Sequence, residues 1–118
     1  MARKHENMMV FQQADELVLE VYKLTKDLPA EERFGLQSQI RRAAVSAPTN
    51  IVEGAARDTD KDFRHFLVMA LGSASEVKYL LALCSRLELL DSHLTHVLES
   101  RYDSLIRSLQ CFIDKLKV

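Results

Sequence analysis

A chain of 118 residues with sixteen Lys and Arg against seventeen Asp and Glu has a formal net charge of −1. This balance argues against a protein that holds nucleic acid by bulk cationic charge, although it is compatible with a local basic patch. The length predicts a single domain, residues 1–118, that buries a core without disulfides or metals, with residues 1–8 frayed.

Apolar residues recur at helical spacing along almost the whole chain, and the alternation typical of strands is absent. The first predicted helix runs from about Val10 to Lys26 and ends at Asp27-Leu28-Pro29. Its apolar positions are three or four residues apart and are expected to face the core. They are Ala14, Leu17, Val21, Leu24 and Leu28.

The second predicted helix starts at Pro29, because a proline in the first turn loses no hydrogen bond and nearby glutamates favour the positive end. Pro48 lies in its interior, where the missing N–H and the clash with the Ala44 carbonyl cost about 3 kcal/mol unless the helix bends. We therefore expect a kinked second helix with small residues that let a neighbour approach. Its inner positions are Leu36, Ile40, Ala43, Ala47 and Ile51.

The third predicted helix opens with Thr59 as N-cap and Asp62 three residues later, and Asp91 or Ser92 caps the fourth. Sustained three-and-four spacing with short loops predicts an all-α fold, an antiparallel up-down-up-down four-helix bundle. The inner positions of the third helix are Phe63, Phe66, Leu67, Ala70, Ala74, Val77, Leu81, Cys84 and Leu87. Those of the fourth are Leu98, Tyr102, Leu105, Leu109, Phe112 and Leu116.

The third helix is apolar on more than one flank. Further apolar side chains extend its inner face sideways, beyond what one bundle core requires. A monomer would leave them in water, so we expect a homo-oligomer. These side chains are Leu71, Tyr79, Leu80 and Leu83.

Polar residues and glycines interrupt the second and third helices. Gly72 costs about 1 kcal/mol against Ala in a helix interior, which suggests that the second helix comes close there. Asn50, Glu53, Ser73 and Glu76, if buried between the helices, would have to satisfy one another. The network either fixes helix register and oligomer geometry or lines a ligand or nucleic-acid surface. Its members are Ser46, Pro48, Asn50, Glu53, Gly54, Gly72, Ser73 and Glu76.

A basic cluster surrounds the same region and is the candidate for nucleic-acid contact. Aspartates at positions 58, 60 and 62 lie between its members, so one interpretation is a solvated, salt-bridged face. Repeated by symmetry in an oligomer, the cluster becomes a ring that binds phosphate backbones with salt-sensitive affinity. The candidate residues are Arg41, Arg42, Arg57, Lys61 and Arg64.

No catalytic or cofactor-binding motif is recognisable in the sequence. His93, His96 and Glu99 follow a loop and are interpreted as surface residues rather than metal ligands. Cys84 and Cys111 lack CxxC spacing and lie on apolar helix faces, which predicts two buried thiols in a reducing compartment. We expect no enzyme activity, metal, cofactor or small-molecule substrate.

The N-terminus lacks the apolar run of a signal peptide, and we expect no stretch that approaches the ~18 apolar residues of a membrane span. The predicted location is the cytoplasm, without membrane contact.

Specific motifs are concentrated between residues 28 and 81. They are Leu28-Pro29, Gln39 with Arg41-Arg42-Ala43-Ala44, Ser46 with Pro48, Asn50-Ile51 with Glu53-Gly54, and Gly72-Ser73 with Glu76. In these motifs the chain closely resembles the bacterial four helix bundle protein family, which includes proteins encoded in intervening sequences of large-subunit ribosomal RNA genes. It is also similar to the accessory variability determinant of diversity-generating retroelements. The resemblance implies four-helix protomers assembled as a barrel-like homopentamer.

For the retroelement relatives, the resemblance implies a basic surface that binds nucleic acid and a reverse transcriptase. This chain differs from that pattern, because its net charge is −1. It supplies no catalytic residue. Our hypothesis is a non-enzymatic oligomeric helical-bundle protein that acts as an RNA- or nucleoprotein-binding adaptor. The alternative is a structural or protein-partner scaffold without nucleic-acid binding, and the salt dependence of binding distinguishes the two.

Overall fold

Four long helices account for most of the chain. A computed structural model describes residues 3–116. The helices are α1 (Met9–Thr25), α2 (Leu36–Ala55), α3 (Asp60–Arg86) and α4 (Ser92–Lys115). Short 3-10 turns cover His5–Asn7 and Ala30–Glu32.

Each helix packs against the helices before and after it in the chain, and α1 also packs against α4. The bundle measures 46 × 23 × 20 Å, as expected for long helices lying side by side. The predicted all-α, up-down-up-down four-helix bundle is confirmed. Because α2 packs on α1 and α3, it lies diagonally across the bundle from α4.

Most of the predicted inner positions form one buried core, but Phe66 is half-buried and does not belong to it. The largest fully buried side chain is Tyr102, and the predicted positions of α1 are all buried. Leu87 differs from its prediction, with 52% of its surface exposed, because α3 ends at Arg86 and the chain turns away. Leu80, expected on the outer flank of α3, is buried in the core.

Two predicted helix starts are confirmed and one is wrong. The Thr59 hydroxyl accepts a bond from the Asp62 amide at 3.1 Å, and the Asp91 carboxylate accepts from the first amides of α4. The second helix starts at Leu36 rather than Pro29, which precedes a 3-10 turn. Glu32 in that turn supplies the missing cap, because its carboxylate accepts a bond from the Leu36 amide at 3.1 Å.

α2 continues through Pro48, which is buried together with the small residues Ala44 and Ala47. Proline has no N–H to donate to the Ala44 carbonyl, so the local backbone is one bond short. The bend expected at this position stays a prediction.

The glycine that brings α2 and α3 together is Gly54, not Gly72. A Cβ atom at Gly54 would lie 2.7 Å from Phe66 Cβ and 3.1 Å from Phe63 Cδ1, whereas one at Gly72 would meet nothing within 4 Å. The expectation that Gly72 allows a close contact between these helices is therefore wrong. Gly72 lies on the outer, exposed side of α3.

α3 also differs from the expectation that no segment is apolar enough to span a membrane. An 18-residue window within Asp60–Arg86 has a mean hydropathy of 1.5, and 33% of that window is buried. By length and composition alone α3 passes the test for a span, so that expectation is wrong. The buried part of the helix packs inside the bundle, and a core helix of a soluble protein passes the same test.

Both cysteines are unpaired, but their surroundings differ from the prediction. Cys84 is buried, and burial raises the pKa of its thiol. Cys111 is exposed, so the expectation of two buried thiols is wrong for this residue. Position 111 lies two residues before Ile113, a core residue, and this spacing turns its side chain away from the core.

The Tyr102 phenol provides a test of the core. Its side chain is fully buried, and its hydroxyl has no hydrogen-bond partner among residues 3–116. Burial raises the pKa of this phenol well above the usual value. Since an unpaired buried hydroxyl costs about 1–3 kcal/mol, Tyr102→Phe is expected to leave stability unchanged or raise it at neutral pH. Urea unfolding of both proteins measures the difference.

The stabilities of the wild type and Tyr102→Phe are expected to depend differently on pH. A phenol whose pKa is raised on folding stabilises the fold below its unfolded pKa of about 10, and this contribution is lost as pH rises above that value. The wild type is therefore expected to lose stability relative to Tyr102→Phe in alkali. A loss of more than about 1.5 kcal/mol in the variant at neutral pH would instead show that the hydroxyl has a partner.

Candidate nucleic-acid interface and assembly surface

Three of the predicted polar residues form a hydrogen-bonded link between α2 and α3. The Asn50 amide donates to the Ser46 carbonyl at 2.9 Å and to the Ser46 hydroxyl at 3.1 Å. The Ser73 hydroxyl donates to the Ser46 hydroxyl at 3.0 Å. Asn50 is 8% exposed, so this link holds the two helices in register from the edge of the core.

Glu53 and Glu76 do not belong to this link, because both are exposed on the outside of the bundle. The expectation that they are buried and satisfy one another is wrong. Their carboxylates are hydrated instead, and hydrated carboxylates need no protein partner. The predicted network is therefore a short, partly buried link between Ser46, Asn50 and Ser73, with two exposed acidic side chains outside it.

A shallow depression lies above the link, on the outer surface between α2 and α3. Its volume is about 230 Å³. Among residues 3–116, neither Arg42 nor Glu76 forms an ion pair, so both charges are available to an incoming molecule. The lining residues are Arg42, Ala43, Ser46, Ser73 and Glu76.

Arg41 binds to α1. Its Nε donates to the Thr25 hydroxyl at 2.9 Å, and a terminal nitrogen donates to the Tyr22 carbonyl at 3.2 Å. Its guanidinium also lies 4.4 Å from the centre of the Tyr22 ring. These contacts hold the C-terminal end of α1 against α2, so Arg41 has a structural role in the protomer.

Two other members of the predicted basic cluster also contact their own chain. The Arg57 guanidinium lies 4.6 Å above the Phe66 ring, and Arg64 Nε donates to the Ile113 carbonyl at 3.4 Å. Lys61 is exposed, as is Arg57 itself. At this end of the bundle, Lys61 is the member of the cluster with the greatest freedom to bind another molecule.

The structure separates the predicted cluster into two groups. Arg41 and Arg42 lie in the first half of α2, and the other three lie at the junction of α2 with α3. From Arg41 to Ala55, at the end of the helix, the axis rises about 21 Å. Within one protomer, the two groups therefore cannot hold the same phosphate.

Arg3 is a site residue that the sequence analysis missed, since residues 1–8 were expected to fray. Met1 and Ala2 lie outside the described residues, whereas Arg3 donates to the Arg57 carbonyl at 2.7 Å and pairs with Asp60. Its guanidinium lies 4.5 Å above the Phe63 ring. Only the folded chain could reveal this contact, because its partners are 54 to 60 residues away in sequence.

A second polar surface lies between α3 and α4. Lys78 donates to Asp103 at 3.1 Å, and Arg107 pairs with the same carboxylate at 2.7 Å. The hydrogen bond from Lys78 is the main cause of a lowered pKa for Asp103. His96 lies 3.5 Å from Glu99, but no group of three possible metal ligands occurs among residues 3–116.

Large apolar side chains are exposed along the outside of α3. Val68 is 42% exposed, Met69 41% and Tyr79 58%, and Gly72 lies between them. Glu76 is the charged residue of this row. The expectation of an apolar α3 flank is confirmed for Tyr79, and exposed apolar residues continue towards the start of the helix. We call the surface formed by Val68, Met69, Gly72, Glu76 and Tyr79 the α3 row.

Comparisons with known proteins give a family and a fold. A sequence model of the 23S rRNA-intervening sequence protein matches residues 6–111. A solved structure from Bacteroides thetaiotaomicron, a protein with unknown function from the S23 ribosomal protein family, matches with a TM-score of 0.82 and 26% identity. The match covers 89% of this chain and 98% of that one. Among curated proteins, none matches this chain.

Proposed function

We propose a function on the premise that this chain belongs to the 23S rRNA-intervening sequence protein family. The protein is a subunit of a homo-oligomer, a pentamer as the family resemblance implies, and it acts as an adaptor without a catalytic site. Its partner is an RNA or a nucleoprotein, and it works in the cytoplasm. The two unpaired thiols are consistent with a reducing compartment.

The observation that carries this proposal is the exposed apolar row of α3. In the most apolar 18 residues of the helix, 33% are buried within the protomer. Small and apolar residues on its outside, such as Met69, Gly72 and Tyr79, favour close packing against another helix. Because soluble monomers rarely expose long apolar rows, a second copy of the chain is proposed to cover this one.

A membrane is a weaker explanation for the same row. Glu76 stands in the middle of the row, and Lys78 nearby on the same helix pairs with Asp103 on α4. The opposite face of α3 packs against α2 and α4, so lipid could reach only one side of it. Ionisable groups at mid-span are costly in a bilayer, whereas a protein interface can pair Glu76 with a basic residue.

Nucleic-acid binding is proposed for Arg42 and Lys61, the exposed cations that lie in separate groups of the basic cluster. One protomer offers a weak site, but a ring of protomers repeats both groups around its axis. Such a ring meets a structured RNA at several phosphates at once, and each phosphate bound adds to the salt dependence of binding. Because the net charge of the protein is near zero, the rest of its surface does not attract RNA, and binding is confined to the ring of basic residues.

The first test is the native mass by light scattering, at low and high salt, with and without a structured RNA. We expect an oligomer that gains mass with RNA at low salt and loses it at high salt. The double variant Arg42→Ala and Lys61→Ala should weaken binding and reduce the salt slope by about 0.7–0.9 for each phosphate that is no longer neutralised. The double variant Arg86→Ala and Lys115→Ala, which removes two exposed cations that form no ion pair among residues 3–116, is the matched control.

A specific observation supports the alternative, a scaffold that binds only proteins. Arg41, Arg57 and Arg64 contact their own chain, so only Arg42 and Lys61 of the predicted basic cluster lack such contacts within residues 3–116. An oligomer whose mass ignores RNA at every salt concentration would favour that alternative and contradict the RNA adaptor. A monomer under all conditions would contradict the proposed homo-oligomer, because no second copy would then cover the α3 row.

A further inference from the structure

Phe34 is the most exposed large apolar residue of the described chain, at 91%. It lies between the 3-10 turn Ala30–Glu32 and the start of α2. The backbone around it is well bonded: the Arg33 amide donates to the Ala30 carbonyl and the Gly35 amide to the Glu32 carbonyl, both at 3.1 Å. A hydrogen-bonded turn therefore presents this ring to solvent.

A hollow of about 260 Å³ opens at the same end of the bundle, between α1 and α4. It is smaller than the roughly 300–1,000 Å³ of small-molecule pockets, and it suits a single side chain better than a ligand. Leu94 and Val97 in its wall are 46% and 45% exposed, so the hollow is incompletely filled by its own chain. Its apolar lining is Leu24, Leu94, Val97 and Leu98.

We infer that Phe34 of one subunit inserts into the α1–α4 hollow of the next subunit. This inference rests on the proposed function, because it needs an assembly of copies. Phe34 cannot fill the hollow of its own chain, since it precedes α2, which lies diagonally across the bundle from α4. Each contact in a ring joins two different surfaces of the subunit. Phe34 and the hollow are two such surfaces, because they lie at the same end of the bundle but on different sides of it.

Charges beside the ring and the hollow are complementary. Arg33 precedes Phe34 and is exposed, and it forms no ion pair among residues 3–116. At the rim of the hollow, Lys23 lies 3.8 Å from Glu20 and Arg101 lies 3.7 Å from Glu16, whereas Asp27 has no ion-pair partner in the described chain. Arg33 of the inserting subunit is therefore placed to meet Asp27 of the receiving one.

The chain contains no tryptophan, so Phe34→Trp is a fluorescence probe of this contact without background. In the assembled protein we expect its emission at shorter wavelength than in the same variant diluted to monomers. Adding Val97→Asp, which places a charge in the hollow, should return the emission to that of an exposed indole. Val97 is half exposed, so the fold should survive this change.

Replacement of the ring gives an independent measurement. Phe34→Ser should raise the dissociation constant of each contact about 10- to 150-fold, the equivalent of burying one large apolar side chain, while Phe34→Leu should retain most of the affinity. A water-exposed emission from Phe34→Trp in an assembly of full mass would overturn the insertion and leave the proposed oligomer intact. A wild-type chain that stays monomeric would overturn the insertion and the proposed function together.

Discussion

Replacing Gly54 by leucine is expected to destabilise the fold by about 3 kcal/mol or more. A Cβ atom at this position would lie 2.7 Å from Phe66 Cβ and 3.3 Å from the Phe63 carbonyl oxygen. Both atoms are part of α3 or directly attached to its backbone, so the clash cannot be relieved by a side-chain rotation. The helices would have to move apart, which would strain the Ser46–Ser73 link as well.

Denaturant unfolding measures this effect, with Ala56→Leu as the matched control. Ala56→Leu introduces the same side chain two residues away, at an exposed position. Its free energy of unfolding is expected to stay within about 0.5 kcal/mol of the wild-type value. Gly54→Ala should be intermediate, since its gain of about 1 kcal/mol in helix propensity offsets part of the overpacking. Equal stability of Gly54→Leu and the control would refute the close approach of α2 and α3 at this glycine.

Placing charges on the α3 row is expected to dissociate the assembly without unfolding the protomer. Met69→Glu with Tyr79→Glu puts two carboxylates on a surface that is proposed to be buried between subunits, next to the existing Glu76. Unpaired charges in an interface cost several kcal/mol, so the affinity of each contact should fall by about 10²-fold or more. Both side chains are 41% or more exposed in the protomer, so helix content should be unchanged.

Sedimentation or light scattering gives the mass, and circular dichroism reports whether the helices remain. Ser104→Glu adds a carboxylate to the exposed side of α4, at a side chain without a hydrogen bond among residues 3–116, and serves as the control. Gly72→Leu is a second test of the α3 row. A Cβ atom at this position meets nothing within 4 Å in the protomer, so the variant should keep its helices but lose mass if a neighbouring subunit packs there. If the doubly charged variant kept the wild-type mass, the α3 row would not be the assembly surface.

Much of the fold could be predicted because helix packing leaves a periodic record in the chain. Core residues such as Leu67, Ala74 and Tyr102 are spaced by the helical repeat, and Thr59 and Asp91 carry cap chemistry that local sequence expresses. The start of α2 was the exception. Pro29 is equally suited to a helix and to the turn that precedes one, and the cap from Glu32 depends on how that turn folds.

The candidate site was harder to predict because a pattern places residues on a face but does not tell how far the face is from its neighbour. Gly54 and Gly72 look alike in sequence, yet one is in contact with Phe66 and the other faces open space. Likewise, Arg41 and Arg42 are adjacent, but a turn of about 100° per residue directs the first to α1 and leaves the second in solvent.

Local sequence was thus sufficient for the number of helices and for most of their inner positions, because each depends on spacing within one helix. The apolar flank of α3 was predicted only in part, since Tyr79 is exposed but Leu80 is buried in the core. Packing of the helices against one another settled which glycine is a contact, which arginines are free and where Arg3 binds. Those properties depend on atoms many residues apart whose distances are set by helix rotation and separation. Phe34 combines both cases: its apolarity is plain in the sequence, but its exposure beside an unfilled hollow exists only once the bundle has formed.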